Sequence, residues 1–241
     1  MNTVTVLNSR DEETQQPSPD DESKIALPTG TLITEQGEMK RLGIIKVKIP
    51  SYIDCEKWAT EYSKLTPMIL SAQGDDEAPF YRNILDEPDF SFGNLLKDPV
   101  IAKAFKDNFD DPDLFRMDDA FCVHYNEKQF TTAGAKHTDP SDVTINLCLQ
   151  KEKGTQGSHV AFHGALPLKT NTGESPSASV PHTAPSEIFN VVQEPGYATL
   201  HWGKHPHETL PLESGSRTNI ILTYCYKDPS KSDVANRTCY A

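Results

Sequence analysis

Residues 194–226 read EPGYATLHWGKHPHETLPLESGSRTNIILTYCY, and the class of the fold is legible within them. Two apolar runs, YATLHW (197–202) and NIILTYCY (219–226), are rich in β-branched and aromatic residues and too short for typical helices. Gly, Pro and Ser interrupt the text between them, which is the punctuation of strands. Towards the N-terminus the same kind of run recurs as EIFNVV (187–192), HVAF (159–162), VTINLCL (143–149) and AFCVHY (120–125). With shorter pieces around His137 and His207 this predicts roughly eight strands. A long series of short strands closes as a sandwich or a barrel.

Upstream of Asp119 the reading changes to a mixture of helix and loop. A strand is expected at Gly43–Ile49, where GIIKVKI alternates until Pro50 stops it. Ser51 then caps a helix over Tyr52–Leu65, and Asp98-Pro99 opens a second helix into VIAKAFKDNF. Residues 71–90 read as a long loop with brief order around Tyr81–Leu85. The Ser/Thr/Pro-rich stretch 164–187 reads as an insertion over one end of the strands. Residues 1–40 read as a disordered acidic tail, because DEETQQPSPDDES carries charge and almost nothing to bury. The organisation is therefore tail (1–40) and one α+β, mainly β domain (41–241). Within that domain, helical support and acidic loops (41–118) precede the strand-rich core (119–227).

The formal charge of −12 is concentrated in the N-terminal half. Residues 1–40 hold eight acidic against three basic side chains, and residues 75–119 thirteen against five. Such a chain lacks the basic surface that phosphate contacts need, so nucleic acid is excluded as a partner. No apolar run approaches a membrane span, and Met1–Arg10 lacks the apolar core of a secretory signal. Five cysteines without paired or metal-site spacing point to reduced thiols, hence an intracellular, cytoplasmic or nuclear protein. The acidic loops at 75–119 are a solvated face, or in a sharper reading a border that favours a basic protein substrate.

Chemistry enters with His137-Thr138-Asp139. On a strand, residues i and i+2 share a face, so this spacing aims an imidazole and a carboxylate at one point. A second histidine follows in HWGKHPH, where His201, His205 and His207 share strand parity, so alternation leaves all three open. Two histidines and one carboxylate on adjoining strands occupy one face of an octahedral metal and leave the other face free. Arg217 adds a rigid two-pronged donor suited to a carboxylate held in a fixed direction.

The combined text resembles the Fe(II)/2-oxoglutarate-dependent dioxygenases, in wording closest to their prolyl-4-hydroxylase-like branch. The residues that carry the likeness are VHYNEKQFTTAGAKHTDPSDVTINLCLQ, GSHVAFHG and the 194–226 stretch quoted above, about half of the chain. The resemblance implies a double-stranded β-helix (jelly-roll) core, with Fe(II) held by His137, Asp139 and His207. It selects His207 through its spacing to Arg217, leaving His205 as a neighbour and His201 as a packed residue. It also implies 2-oxoglutarate chelated at the metal, its far carboxylate paired with Arg217 and assisted by Tyr125. O2 is the oxidant, and ascorbate a candidate reductant. Asn219, two residues from Arg217 on the same face, is expected to line that pocket, and His159 to stand near the cosubstrate. Asp139 argues against halogenation, which needs a small residue there.

The implied reaction is hydroxylation of an unactivated C–H bond, with a prolyl residue of a protein or peptide as the expected substrate. The alternatives are a small-molecule hydroxylase of the same superfamily and, from another class, a jelly-roll binding protein without turnover; the oligomeric state is left open. Two departures blur the substrate: Gly157-Ser158-His159-Val160 replaces the usual Gly-Gly strand start, and Thr223 stands where many relatives carry Trp. His124, His163 and His182 read as ordinary residues, and Cys148 as core packing that touches the pocket side.

Overall fold

The computed structural model describes residues 30–63, 80–86, 92–129, 131–168 and 187–234. The elements are β1 (Thr31–Ile33), α1 (Gln36–Leu42), β2 (Ile44–Lys48), α2 (Cys55–Ser63), β3 (Phe80–Asn83) and α3 (Pro99–Asn108). The strand-rich part follows: β4 (Phe115–Asn126), β5 (Gly134–His137), β6 (Val143–Lys151), β7 (Gln156–Gly157), β8 (Val160–His163) and β9 (Ile188–Val191). It closes with β10 (Tyr197–Trp202), β11 (His207–Thr209), β12 (Leu212–Ser214) and β13 (Ser216–Tyr226).

The strands form a six-stranded sheet in the order β2-β10-β6-β13-β4-β3 and a five-stranded sheet in the order β1-β9-β8-β11-β5. A short β12-β7 pair stands apart from both. Apart from the parallel β1–β9 pair, the pairings are antiparallel. This is the jelly-roll architecture, mostly β with a few flanking helices.

Period-two alternation divides the six-stranded sheet into two chemically different faces. Ile145 and Leu147 of β6, Ile220 and Leu222 of β13, and Ala198 and Leu200 of β10 point outward. There they pack with Trp58 and Tyr62 of α2 and Ile101 and Phe105 of α3 into the main core. The other face of the same strands turns towards the five-stranded sheet and is largely polar. A second, smaller cluster joins Ile33, Met39, Leu42 and Ile44 to Val160, Phe162, Phe189 and Val191 and ties the five-stranded sheet to α1 and β2.

Three expectations need correction or bounding. The tail was expected to reach residue 40, yet β1 pairs with β9 and Ile33 and Met39 are fully buried, so 31–40 is part of the fold. Ser51 is not the cap of the following helix. A turn that closes with Ile53 N–H donating to the Pro50 carbonyl (3.0 Å) delays the helix to Cys55, and Asp54 Oδ1 accepts from Lys57 N–H at 2.9 Å in the capping position. Residues 1–29, most of the 71–90 loop and 169–186, with His182, lie outside the described residues. At α3 the expected cap is present, Asp98 accepting from the Val100 and Ile101 amides at 3.0 and 3.2 Å. Among the described residues no helix is long and apolar enough to cross a membrane.

Candidate metal centre

Strands β5 and β11 are neighbours, and their register sets His137 directly opposite His207. Directly opposed residues in an antiparallel pair have side chains on the same face, which explains the 4.5 Å between the two ring centroids. Asp139 follows β5 in a turn pinned by its own N–H, which donates to the Gly203 carbonyl at 2.8 Å. Gly203 has no room for a side chain, since an added Cβ would collide with the Ser141 carbonyl. Asp139 Oδ1 lies 3.4 Å from His137 Nε2 and 3.8 Å from His207 Nε2. The three residues form a cluster whose ligand atoms all lie within 4.8 Å of one another.

Their second atoms are already committed, which orients the first. His137 Nδ1–H donates to the Ala135 carbonyl at 2.7 Å and His207 Nδ1–H to the His205 carbonyl at 2.8 Å. Both rings therefore offer Nε2 to the cluster, in the tautomer a metal requires. Asp139 Oδ2 accepts from Thr144 Oγ1–H at 2.5 Å, and Thr144 is linked in turn to Ser141 at 3.0 Å. Burial alone would raise the Asp139 carboxyl, but His207 nearby and the hydrogen bonds from His137 and Thr144 outweigh it. The carboxyl is held well below its usual range. Burial lowers His207, whereas the hydrogen bond to Asp139 raises His137.

The neighbouring histidines are placed differently. His205 is fully buried, bonds the Gly164 carbonyl through Nε2 at 3.0 Å, and is pushed down to about 3 by burial. His201 packs edge-on against His207 at 4.9 Å and is pushed down to about 4, also by burial. Both are neutral packing groups, and His207 alone of the three joins the cluster. His124 bonds Thr218 and His163 bonds Glu208 (2.8 and 2.9 Å), each in a local structural contact.

The inner face of the six-stranded sheet leads away from this cluster in registered rows. His201, Thr144 and Thr223 oppose one another on β10, β6 and β13, and Thr199, Asn146 and Ile221 form the next row. Tyr197, Cys148 and Asn219 follow. Arg217 of β13 then sits opposite Tyr125 of β4, with its guanidinium 5.0 Å from the phenol ring centre. Arg217 is 2% exposed and donates to the Ser158 carbonyl at 2.8 Å; its Nε has no partner among the described residues. Asn219 donates to Asn146 Oδ1 at 2.5 Å and to Gln193 Oε1 at 3.4 Å. Its Oδ1, Gln193 Nε2, Thr199 Oγ1 and His159 Nδ1 are buried without hydrogen bonds among the described residues.

A buried guanidinium whose contacts among the described residues include a carbonyl and an aromatic ring but no carboxylate, beside several orphaned amide and hydroxyl atoms, is costly unless a ligand completes it. The donor set of two imidazoles and one carboxylate suits Fe(II), and the buried arginine suits the carboxylate of a small dicarboxylic acid. The structure thus brings together His137, Asp139 and His207. Separately, it places Arg217, Tyr125, Asn219 and His159 around one polar end of the interior. Thr144, Asn146, Gln193 and Gly203 were not singled out in the sequence. Alternation along VTINLCL contained the signal for the first two, while Gly203 and Gln193 lie outside any strand pattern.

No family model matches the chain. It is 26% identical over 177 residues to the 2-oxoglutarate and iron-dependent oxygenase domain-containing protein ICU11 of Arabidopsis thaliana, an alignment covering 70% of this chain and 41% of that protein. The chain is thus similar in sequence to a 2-oxoglutarate and iron-dependent oxygenase domain-containing protein. It spans less than half the length of that relative. The fold is shared with a 2OG-Fe(II) oxygenase family oxidoreductase of Burkholderia pseudomallei (TM-score 0.50, 12% identity, 79% of this chain and 87% of that one). It is shared equally with the α-ketoglutarate-dependent carbocyclase SnoK of nogalamycin biosynthesis (TM-score 0.51, 11% identity, 83% and 88%).

Proposed function

We propose that this chain is an Fe(II)- and 2-oxoglutarate-dependent oxygenase that hydroxylates a C–H bond of a polypeptide, with a prolyl residue as the preferred target. The observation that carries the oxygenase reading is the pairing of a His-Asp-His cluster with a buried Arg217 that has no carboxylate partner among the described residues, on the same barrel interior. His137, Asp139 and His207 would hold iron, and Arg217 with Tyr125 would hold the far carboxylate of 2-oxoglutarate. Iron and 2-oxoglutarate together supply the activation of O2, with succinate and CO2 as co-products.

The protein's own contribution is orientation and exclusion. Hydrogen bonds from His137 and His207 Nδ1 to backbone carbonyls keep both Nε2 atoms aimed inward, and Thr144 fixes the carboxylate rotamer of Asp139. Arg217, rigid and buried, sets the direction from which the cosubstrate enters the metal site. Neutral His201 and the ring of Phe162, 5.5 Å from that of His207, close the side facing the smaller core.

The polypeptide reading is supported by where the site opens. The His137 side chain is 43% exposed, against 9% for Asp139, and among the described residues β5 is the edge strand of its sheet with three of its four residues exposed. An open edge beside the reacting face suits an extended chain, whereas a small metabolite is normally enclosed. The choice of proline rests on the sequence resemblance alone. The test is incubation with Fe(II), 2-oxoglutarate, ascorbate and a library of proline-containing peptides, read as succinate release and a gain of one oxygen on proline. Decarboxylation stimulated by a small metabolite and by no peptide overturns the polypeptide reading. Absence of any succinate release under these conditions favours a binding protein on the same fold.

A further inference from the structure

Strands β6 and β13 keep register from Thr144/Thr223 to Cys148/Asn219, where the pairing shifts. Asn219 pairs with Cys148 but Thr218 pairs with Gln150, so Leu149 is an extra residue bulged out of the ladder. Leu149 turns into the main core, 4% exposed. The bulge reverses the alternation beyond it. Without it, Lys151 would fall on the outer face, in phase with Ile145, Leu147 and Leu149. With it, Lys151 stands directly opposite Arg217, on the same face. One row therefore runs Lys151, Arg217, Tyr125 across β6, β13 and β4: two cations side by side, then a phenol.

Like charges directly opposed across an antiparallel pair repel, and a fold normally avoids them. Among the described residues no carboxylate is paired with either cation. Among the described residues Lys151 makes no ion pair, and the hydrogen bond and ring contact of Arg217 go to the Ser158 carbonyl and Tyr125. Electrostatic neighbours agree with the geometry: burial first, then Arg217, lowers the Lys151 amine. His159 is lowered by burial and by the same two cations, while Glu213 pulls it the other way. The repulsion sits beside the orphaned Nε of Arg217 and Nδ1 of His159.

We propose that Lys151 is a second carboxylate-binding residue, making the far end of the cosubstrate pocket dicationic and selective for a dicarboxylate over a 2-oxo acid with one carboxylate. The inference rests on the oxygenase reading and adds to it a residue that the spacing of the ligands and Arg217 does not reveal. A carboxylate placed between Lys151 and Arg217 converts their repulsion into two attractive contacts.

The experiment measures the thermal stability and 2-oxoglutarate affinity of the Mn(II)-loaded full chain, wild type against Lys151→Met and Lys151→Arg. Lys151→Met is expected to leave the ligand-free melting temperature unchanged or raised, because a repulsion is removed. It is also expected to weaken 2-oxoglutarate binding about fivefold, the scale of a half-exposed charge contact. Binding of 2-oxopentanoate, which lacks the second carboxylate, should be unaffected, and Lys151→Arg should restore most of the 2-oxoglutarate affinity. A lowered ligand-free melting temperature with unchanged 2-oxoglutarate affinity makes Lys151 a packing residue and overturns the proposal. Equal weakening of both acids also overturns it. If wild type itself binds no 2-oxoglutarate, the failure belongs to the oxygenase reading.

Discussion

Replacing Thr144 by Val isolates the hydrogen bond that holds Asp139. The substitution keeps shape and strand preference while deleting one hydroxyl, so packing against the sheet changes little. What is lost is a 2.5 Å donor to Asp139 Oδ2 and the partner of Ser141 at 3.0 Å, both at buried positions. A hydrogen bond to a charged, 6% exposed carboxylate is worth about 1.5–3 kcal/mol, so the metal-free variant should lose about 2 kcal/mol near neutral pH. The pH dependence has a definite sign. Asp139 is held below its ordinary value of 3.8, so its contribution is fully present above that value. It is lost as the pH falls through the lower folded-state value. The difference between wild type and Thr144→Val should therefore be constant through the neutral range and shrink only in strong acid. Urea unfolding in EDTA at a series of pH values measures it. A difference under about 0.5 kcal/mol at neutral pH, or one that grows on acidification, refutes the view that Thr144 stabilises the charged carboxylate.

His207→Ala should abolish Mn(II) binding measured by calorimetry. His205→Ala should keep binding and instead cost about 1–3 kcal/mol of stability, because it leaves the Gly164 carbonyl unpaired. Deleting residues 1–42 should lower the melting temperature by roughly ten degrees or more. It removes the buried Ile33, Met39 and Leu42 side chains, each worth about 1.5–3 kcal/mol. An unchanged transition would show that β1 and α1 contribute nothing. Gly203→Ala should lower both stability and metal affinity, because relieving the clash with Ser141 moves the carbonyl that anchors the Asp139 amide; a variant with native metal affinity would contradict this.

The strand-rich class of the fold and the ligand cluster were legible because they rest on short-range spacing. The two-residue spacing of His137 and Asp139 marks the pair, although Asp139 falls in the turn after β5 and is placed by its N–H to the Gly203 carbonyl rather than by strand alternation. The runs around 143–149 and 219–226 alternate cleanly. What escaped depends on partners far away in the chain. β1 and α1 span only three and seven residues, and a charge-rich average over 1–40 hides them. Their burial is decided by pairing with β9, some 158 residues later by the Thr31–Phe189 register. The choice among His201, His205 and His207 could not come from parity, which all three share; in the sequence it rested on the resemblance's spacing to Arg217, and its physical cause is where β11 meets β5. Ser51 and Asp54 are equally good capping residues on paper, and a backbone turn at Pro50 chose between them. The bulge at Leu149 leaves no mark in composition, yet it alone decides which way Lys151 points.

The six-stranded sheet devotes alternate residues to different tasks, and this has a practical consequence for remaking the protein. The side chains that bind α2 and α3 to the sheet are interleaved one for one with Thr199, Asn146 and Ile221, which face the interior and take no part in that core. Positions 146, 199 and 221 can therefore be recoloured in combination with the helix-facing core untouched, at the cost of the Asn219–Asn146 hydrogen bond and of the packing of Ile221 against Val123, Tyr125 and Leu212. A library varied at those three sites alone should return mostly folded proteins whose cavities differ in shape and polarity. The sheet thus gives a selection for new guests a starting point in which novelty and foldability are written on opposite sides of the same strands.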